Sequence, residues 1–113
     1  MPVGLTIRSA TAEDEAAVVR LWQVCGLVAN YNDPYTDFRF ARAKAASDIL
    51  VGVADDGALI GTAMVGHEGH RGWVYYVATH PDYRKQGVGR RMMAAAEAWH
   101  KEHGIKKMLL LPS

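Results

Sequence analysis

The feature that most constrains this chain is a β-prone run, Trp73 to Thr79. It passes through His80-Pro81-Asp82-Tyr83 into the turn Arg84-Lys85-Gln86-Gly87-Val88-Gly89-Arg90, and then into a long helical stretch. When a strand, a tight turn and a helix follow in that order, a strand after the helix returns parallel to the first by a right-handed crossover. The apolar run Lys107 to Leu111 is that strand. The two glycines let the backbone turn sharply and come close to a ligand. The helix that starts there has N–H groups without helical partners and the positive end of its dipole, a site suited to phosphate. Arg84, Lys85, Arg90 and Arg91 add positive charge around the same turn.

The chain before this unit supplies the rest of a fold. Leu5 to Arg8 is a short β-prone run. Thr11 with Asp14 forms a capping-box pattern, and Val18, Leu21, Trp22 and Cys25 recur at helical spacing, so a helix is expected over Ala12 to Val24 with Gly26 as its stop. Asp33-Pro34 opens a second helix whose apolar side is Phe38, Ala41, Ala45 and Ala46. The polar and aromatic loop Ala29-Asn30-Tyr31-Asn32-Asp33-Pro34-Tyr35 is either a wall of a substrate cleft, with Tyr31, Asn32 and Asp33 as its candidates, or a helix–helix connection, and both readings stay open. Ile49 to Ala54 and Ala58 to Gly66 are strands joined by Asp55-Asp56-Gly57, and Gly61 marks a bulge or a close approach of backbone. A second turn, His67 to Gly72, leads to Trp73. After the glycine turn, Met92, Ala95, Ala96 and Trp99 form one helical stripe that Gly104 closes. The expected class is α/β (α+β) with order β-α-α-β-β-β-α-β: an antiparallel meander with a parallel last strand, in one domain over residues 1–113.

Composition narrows the partners. The formal charge is +1, and the basic residues cluster locally and do not spread over a face, which argues against nucleic acid and against a membrane surface. No run approaches the ~20 apolar residues of a membrane span, and the N-terminus lacks a signal-peptide layout. Cys25 is the only cysteine, so no internal disulfide forms and a cytoplasmic setting is expected, with the thiol read as a buried, inert group.

The glycine turn is neither a Walker A loop nor a G-x-G-x-x-G fingerprint. With Val77-Ala78-Thr79-His80-Pro81-Asp82-Tyr83 before R-x-x-G-x-G, and the same order of elements around it, the chain resembles the GCN5-related N-acetyltransferase (GNAT) superfamily. The likeness runs from Leu5 to Leu111. It is nearest to small bacterial acetyltransferases that carry N-D-P, here Asn32-Asp33-Pro34, and G-H-R-G, here Gly69-His70-Arg71-Gly72. The resemblance implies acetyl-CoA as donor and a primary amine of a small molecule or protein as acceptor. It implies that Val77, Ala78 and Thr79 offer backbone groups to the pantetheine arm, and that N–H groups over Arg84, Lys85, Gln86, Gly87, Val88, Gly89 and Arg90 wrap the pyrophosphate. Acetyl transfer from a thioester needs no metal. It needs an unprotonated amine, reactants in line, and a donor to the carbonyl oxygen, for which a backbone N–H near Val77 is suited.

Glu68 and Tyr75 are the candidates for moving the amine's proton. The ordinary alternatives are a solvated loop carboxylate for Glu68 and core filling for Tyr75, which by strict alternation shares a strand face with Trp73 and Val77. His67 and His70 flank Glu68, but H-E-G-H lacks the H-E-x-x-H zinc spacing, and no metal is expected. Family members usually continue past the fifth strand with a helix, two strands and a tyrosine that protonates the departing thiolate; this sequence stops at Pro112-Ser113. Its terminal run Met108 to Leu111 would leave an apolar sheet edge, which points to a fragment, to a homo-oligomer such as a dimer that covers the edge, or to a degenerate member. The expected function is N-acetyl transfer. The alternative is a non-catalytic acyl-CoA-binding or regulatory module.

Overall fold

The meander and crossover meet in one mixed sheet of five strands, β1 (Leu5–Ser9), β2 (Ser47–Ala54), β3 (Leu59–His67), β4 (Arg71–Thr79) and β5 (Lys107–Leu110), arranged in sequence order. The structure is a computed structural model that describes residues 4–28 and 33–110. β1 to β4 pair antiparallel, and β5 lies parallel to β4 through Arg71↔Lys107 to Val74↔Leu110. Among the described residues three helices cover the sheet: α1 (Glu15–Val24), α2 (Pro34–Ala43) and α3 (Val88–Glu102).

Alternation along β2 sorts them into two layers. Ile49 and Val51 pack with Val18, Leu21, Trp22 and Phe38 of α1 and α2. Leu50 packs with Val88, Met92, Ala96 and Trp99 of α3 on the opposite face. Each face buries its own apolar cluster, so the sheet is the middle of three layers.

Local chemistry sets where the helices begin and end. The Thr11 amide donates to Asp14 Oδ2 at 2.7 Å, and the Asp14 amide donates to the Thr11 carbonyl at 3.0 Å. This capping box closes a 3₁₀ turn over Ala12–Asp14, so α1 starts at Glu15 and not at Ala12 as the pattern suggested. At α2, the Ser47 hydroxyl donates to the Ala41 carbonyl at 2.8 Å and Lys44 is extended, which ends the helix at Ala43. Ala45 and Ala46 therefore lie in the turn before β2, and only Phe38 and Ala41 of the expected stripe are buried on the helix.

α3 sits low on the sheet because two glycines face each other across β2 and β3. Gly52 pairs with Gly61. A Cβ on Gly61 would lie 2.9 Å from Val88 Cγ1 and 3.1 Å from Met92 Cγ, and one on Gly52 would lie 2.9 Å from Met92 Sδ. The first turn of α3 is thus seated against bare backbone, which realises the close approach expected at Gly61. The second sequence turn is shorter than expected: β3 continues through His67, and β4 begins at Arg71.

Candidate active site

The chain leaves β4 through a 3₁₀ turn over Pro81–Tyr83, pinned where His80 Nδ1 accepts the Asp82 amide at 3.1 Å. Lys85 (φ 66°) and Gly87 (φ 81°) are both left-handed, so the backbone curls around Gln86 before α3 starts at Val88. The helical bond that reaches back to Gly87 runs from the Arg91 amide to the Gly87 carbonyl at 3.0 Å. The N–H groups of Val88, Gly89 and Arg90 precede it and have no partner within the helix by position. No side chain caps α3, and its first turn holds no acidic residue. By contrast Asp33 caps α2, accepting the amides of Tyr35 and Thr36. A fifteen-residue helix with a bare N-terminus has the dipole and donors for an anion. Arg84, Lys85 and Arg90 are exposed around it. Arg91 turns the other way, its guanidinium donating to the Leu5 carbonyl at 2.9 Å. Gly89 abuts the end of β4, where an added Cβ would meet Thr79 Oγ1 at 3.4 Å.

β4 is bulged in front of this helix. Met64 pairs with Tyr75 but Thr62 with Ala78, so β4 carries one residue more than β3 over the interval. Tyr76 takes up the excess with φ 54°. The face of every later side chain is thereby switched. Tyr75 and Tyr76 both pack on the α1–α2 layer, whereas Val77 packs on the α3 layer. The expectation that Tyr75 shares a face with Val77 is therefore corrected, because the bulge breaks the period of two.

The bulge also exposes backbone. The His80 amide donates to the Ile60 carbonyl at 2.8 Å, so alternation turns the backbone of Ala78 toward β3 and that of Val77 and Thr79 toward the β5 side. The described pairing with β5 ends at Val74↔Leu110. Among the described residues no strand lines β4 from Tyr75 onward on that side. Among the described residues an extended edge thus runs from the bulge to the N-terminus of α3. A separate cleft of about 360 Å³, walled by Arg20, Val24, Leu59, His80 and Tyr83, opens on the β3 side of β4 and is not where bulge and helix converge.

The other candidate residues are placed as follows. Tyr75 is half-buried beside the bulge; burial, and then the negative charge of Asp37, push its phenol above the ordinary 10.0, while the Trp73 side chain acts in the opposite direction. Glu68 is exposed in the β3–β4 turn. The nine residues of β4, at about 3.3 Å each, put that turn roughly 30 Å from the glycine turn. The structure does not bring Glu68 and Tyr75 together at the bulge. His67 Nδ1 accepts the Gly69 amide at 3.0 Å, and its ring lies 5.7 Å from those of Trp99 and His103. Among the described residues no group of three or more His, Cys, Asp or Glu is disposed to hold a metal ion. Tyr31 and Asn32 lie outside the described residues. Asp33 spends both carboxylate oxygens on the cap, Oδ1 on the Tyr35 amide at 3.0 Å and Oδ2 on the Thr36 hydroxyl at 2.8 Å. Cys25 is half-buried with Sγ 3.3 Å from the Thr79 carbonyl. No helix among the described residues is long and apolar enough to cross a membrane.

Sequence reasoning missed Thr62, Trp22 and Asp37. Trp22 Nε1 donates to Thr62 Oγ1 at 3.1 Å, Thr62 Oγ1 donates to the Tyr76 carbonyl at 2.9 Å, and the Tyr76 hydroxyl donates to Asp37 Oδ2 at 2.8 Å. One signal was present: Thr62 is a hydroxyl inside an otherwise apolar strand, opposite two consecutive tyrosines.

A mixed sheet with a bulged fourth strand, unpaired past Val74 on the β5 side among the described residues, and an uncapped helix at its end defines an α/β domain with the geometry to take an extended, anion-bearing ligand. The acetyltransferase (GNAT) family model matches residues 9–112, and the chain belongs to that family; it is a GNAT-type acyltransferase. An acetyltransferase of Pectobacterium atrosepticum is 31% identical over 107 residues, which cover 95% of this chain and 75% of that protein. A ribosomal-protein-alanine N-acetyltransferase from Brucella melitensis biovar Abortus superposes with a TM-score of 0.79 at 16% identity, over 97% of this chain and 81% of its own. AAC(6')-Iy, in complex with the bisubstrate analog CoA-S-monomethyl-acetylneamine, superposes with a TM-score of 0.81 at 18% identity, over 96% of this chain and 80% of its own. At these identities the two structures show likeness of fold.

Proposed function

We propose that this chain, as a single domain, transfers an acetyl group directly from acetyl-CoA to a primary amine of a small molecule or protein. The observation that carries the proposal is the uncapped, acid-free N-terminus of α3 at the end of a strand that, among the described residues, is unpaired past Val74 on the β5 side. The residues fit the donor. Backbone N–H groups from Arg84 to Arg90 suit a pyrophosphate, with Arg84, Lys85 and Arg90 supplying charge. Val77 and Thr79 turn amide groups toward the β5 side, where an amide-bearing pantetheine arm pairs as an added strand; Ala78 lies between them in the same segment, and its backbone faces β3 and not the arm. The donor supplies an activated acyl group. The Val77 amide, next to the bulge, is suited to the carbonyl oxygen as negative charge develops there.

In the transfer a C–N bond forms as the C–S bond breaks; the amine loses a proton and the thiolate gains one. Tyr75 stands beside the bulge with its phenol pushed up by burial. It is a proton donor at neutral pH, better matched to the thiolate than to the amine. Glu68 is the remaining candidate for the amine's proton, through solvent. Tyr31, Asn32 and Asp33 are proposed as the acceptor's wall, with Asp33 also fixing the entry to α2. The neighbours' names include a ribosomal-protein-alanine N-acetyltransferase and a complex with an acetylneamine analog, so both a protein terminus and a small polyamine fit the acceptor class. A cytoplasmic location and a homo-oligomer that covers the outer edge of β5, where Leu109 is 54% exposed, complete the reading.

Calorimetry with CoA and acetyl-CoA, followed by thiol release over a panel of amines, tests it. Micromolar binding and release with at least one amine is the expected result. Absence of binding at millimolar ligand refutes the donor site, and binding without release across the panel favours the non-catalytic module.

A further inference from the structure

At the bulge in β4 the Tyr76 carbonyl accepts from a side chain of the neighbouring strand. Thr62 is fully buried in β3 opposite the bulge, and its hydroxyl donates to that carbonyl at 2.9 Å. A hydroxyl has one proton and rotates to suit its surroundings. Here it has no choice: Trp22 Nε1, which only donates, reaches Thr62 Oγ1 at 3.1 Å, so the Thr62 proton must point to Tyr76. The Trp22 and Tyr76 rings stack at 4.1 Å with 23° between planes, and the Tyr76 hydroxyl is tied to Asp37 of α2 at 2.8 Å. The left-handed Tyr76 (φ 54°), a conformation that a bulky side chain avoids, is thus held from its carbonyl, its ring and its hydroxyl.

We propose that Thr62 is a positioning residue for acetyl transfer: through the Tyr76 carbonyl it fixes the peptide plane that aims the Val77 amide at the acyl carbonyl, with Trp22 setting the direction of its hydroxyl. This rests on the donor site proposed above. Thr62 touches neither reactant. It acts by denying the bulge a second arrangement, in which the peptide between Tyr76 and Val77 rotates and the amide leaves the line of the open edge.

The test separates the lock from the reaction. In the free protein, NMR relaxation dispersion is expected to show μs–ms conformational exchange at the Val77 amide in Thr62→Val that the wild type lacks, with Val51 and Val65 unchanged. In turnover, kcat is expected to fall about 10- to 100-fold with acetyl-CoA affinity within about threefold, because the glycine turn that holds the pyrophosphate is untouched. Thr62→Ser, which keeps the hydroxyl, should recover most of the loss. A merely structural role would not give this split. If Thr62→Val does not fold, Trp22→Phe removes the N–H and leaves a smaller aromatic ring against Tyr76, and a kcat loss of about threefold or more without loss of affinity is expected. Unchanged exchange at Val77 overturns the lock whatever the enzyme does, and unchanged kcat in folded Thr62→Val overturns its role in transfer. A wild-type chain that binds no CoA overturns the donor site instead, and the exchange result still decides the lock.

Discussion

Gly87 separates the two things asked of the glycine turn: a backbone shape and a place for negative charge. Its φ of 81° and ψ of 8° are left-handed, yet a Cβ built there meets nothing within 4 Å. Gly87→Ala therefore brings conformational strain without a clash, about 1–2 kcal/mol, seen as a fall of roughly 4–10 °C in Tm for a chain of this size. Gly87→Glu carries the same strain, but its carboxylate at the start of α3 regains a few tenths of a kcal/mol or more from the helix dipole. It should melt at or slightly above the alanine variant. Binding should move the opposite way. A carboxylate about 7 Å from a phosphate charge, at an effective dielectric near 20, opposes it by about 2 kcal/mol, or ~30-fold in Kd. Calorimetry with CoA at about 0.1 M salt reads this directly, and raising the salt should return part of the loss. A glutamate variant that melts like the alanine variant and binds CoA as tightly as the wild type would refute the pyrophosphate site.

Asp14 predicts an acid-sensitive cap: hydrogen bonds from Arg8, then from the Thr11 amide, hold its carboxyl at about 2, below the ordinary 3.8. A depressed carboxylate stabilises the fold above the unfolded pKa and loses that effect as pH falls through the folded one. Asp14→Asn should therefore lower urea stability by about 1–2 kcal/mol at neutral pH after screening at the partly exposed Arg8, and the gap to wild type should close by pH 2; a gap that persists there contradicts the assignment. Gly61→Ala drives a Cβ to 2.9 Å from Val88, which is branched and cannot swing clear as Met92 can. A loss of about 1–3 kcal/mol, with weaker CoA binding as the start of α3 lifts, is expected from melts and calorimetry. Tyr75→Phe should reduce kcat about tenfold with KM for acetyl-CoA unchanged. The wild-type rate should show an alkaline limb above 10.0 that the variant lacks, and a matching limb in both would remove Tyr75 from proton transfer.

The order of elements was legible because each rests on short-range chemistry. The Asp-Gly turn, the Asp33-Pro34 cap and the 3.6-residue stripe of α3 act within a few positions of chain, and the structure keeps all of them. Boundaries slipped where a distant group intervened. Ser47 closes α2 by reaching back to Ala41, and no pattern inside the helix announces it. His100 was not placed in the core, yet it is buried, with Nδ1 2.8 Å from the Ala96 carbonyl and Nε2 2.9 Å from that of Gly66. The second of those contacts joins residues 34 apart in sequence.

The same division runs through the candidate site. By itself the sequence determined a strand, a glycine turn and a helix, with positive charge gathered at the turn and no acid in the first turn of the helix. Those properties are local, and they suit an anion wherever the unit is placed. Only the tertiary structure decided that β4, among the described residues, is unpaired past Val74 on the β5 side, that Tyr75 and Val77 face different layers, and that the Thr62 hydroxyl donates to the Tyr76 carbonyl between them. A bulge is a mismatch in count between two strands, and neither strand alone records it; the register exists only once β3 and β4 have paired.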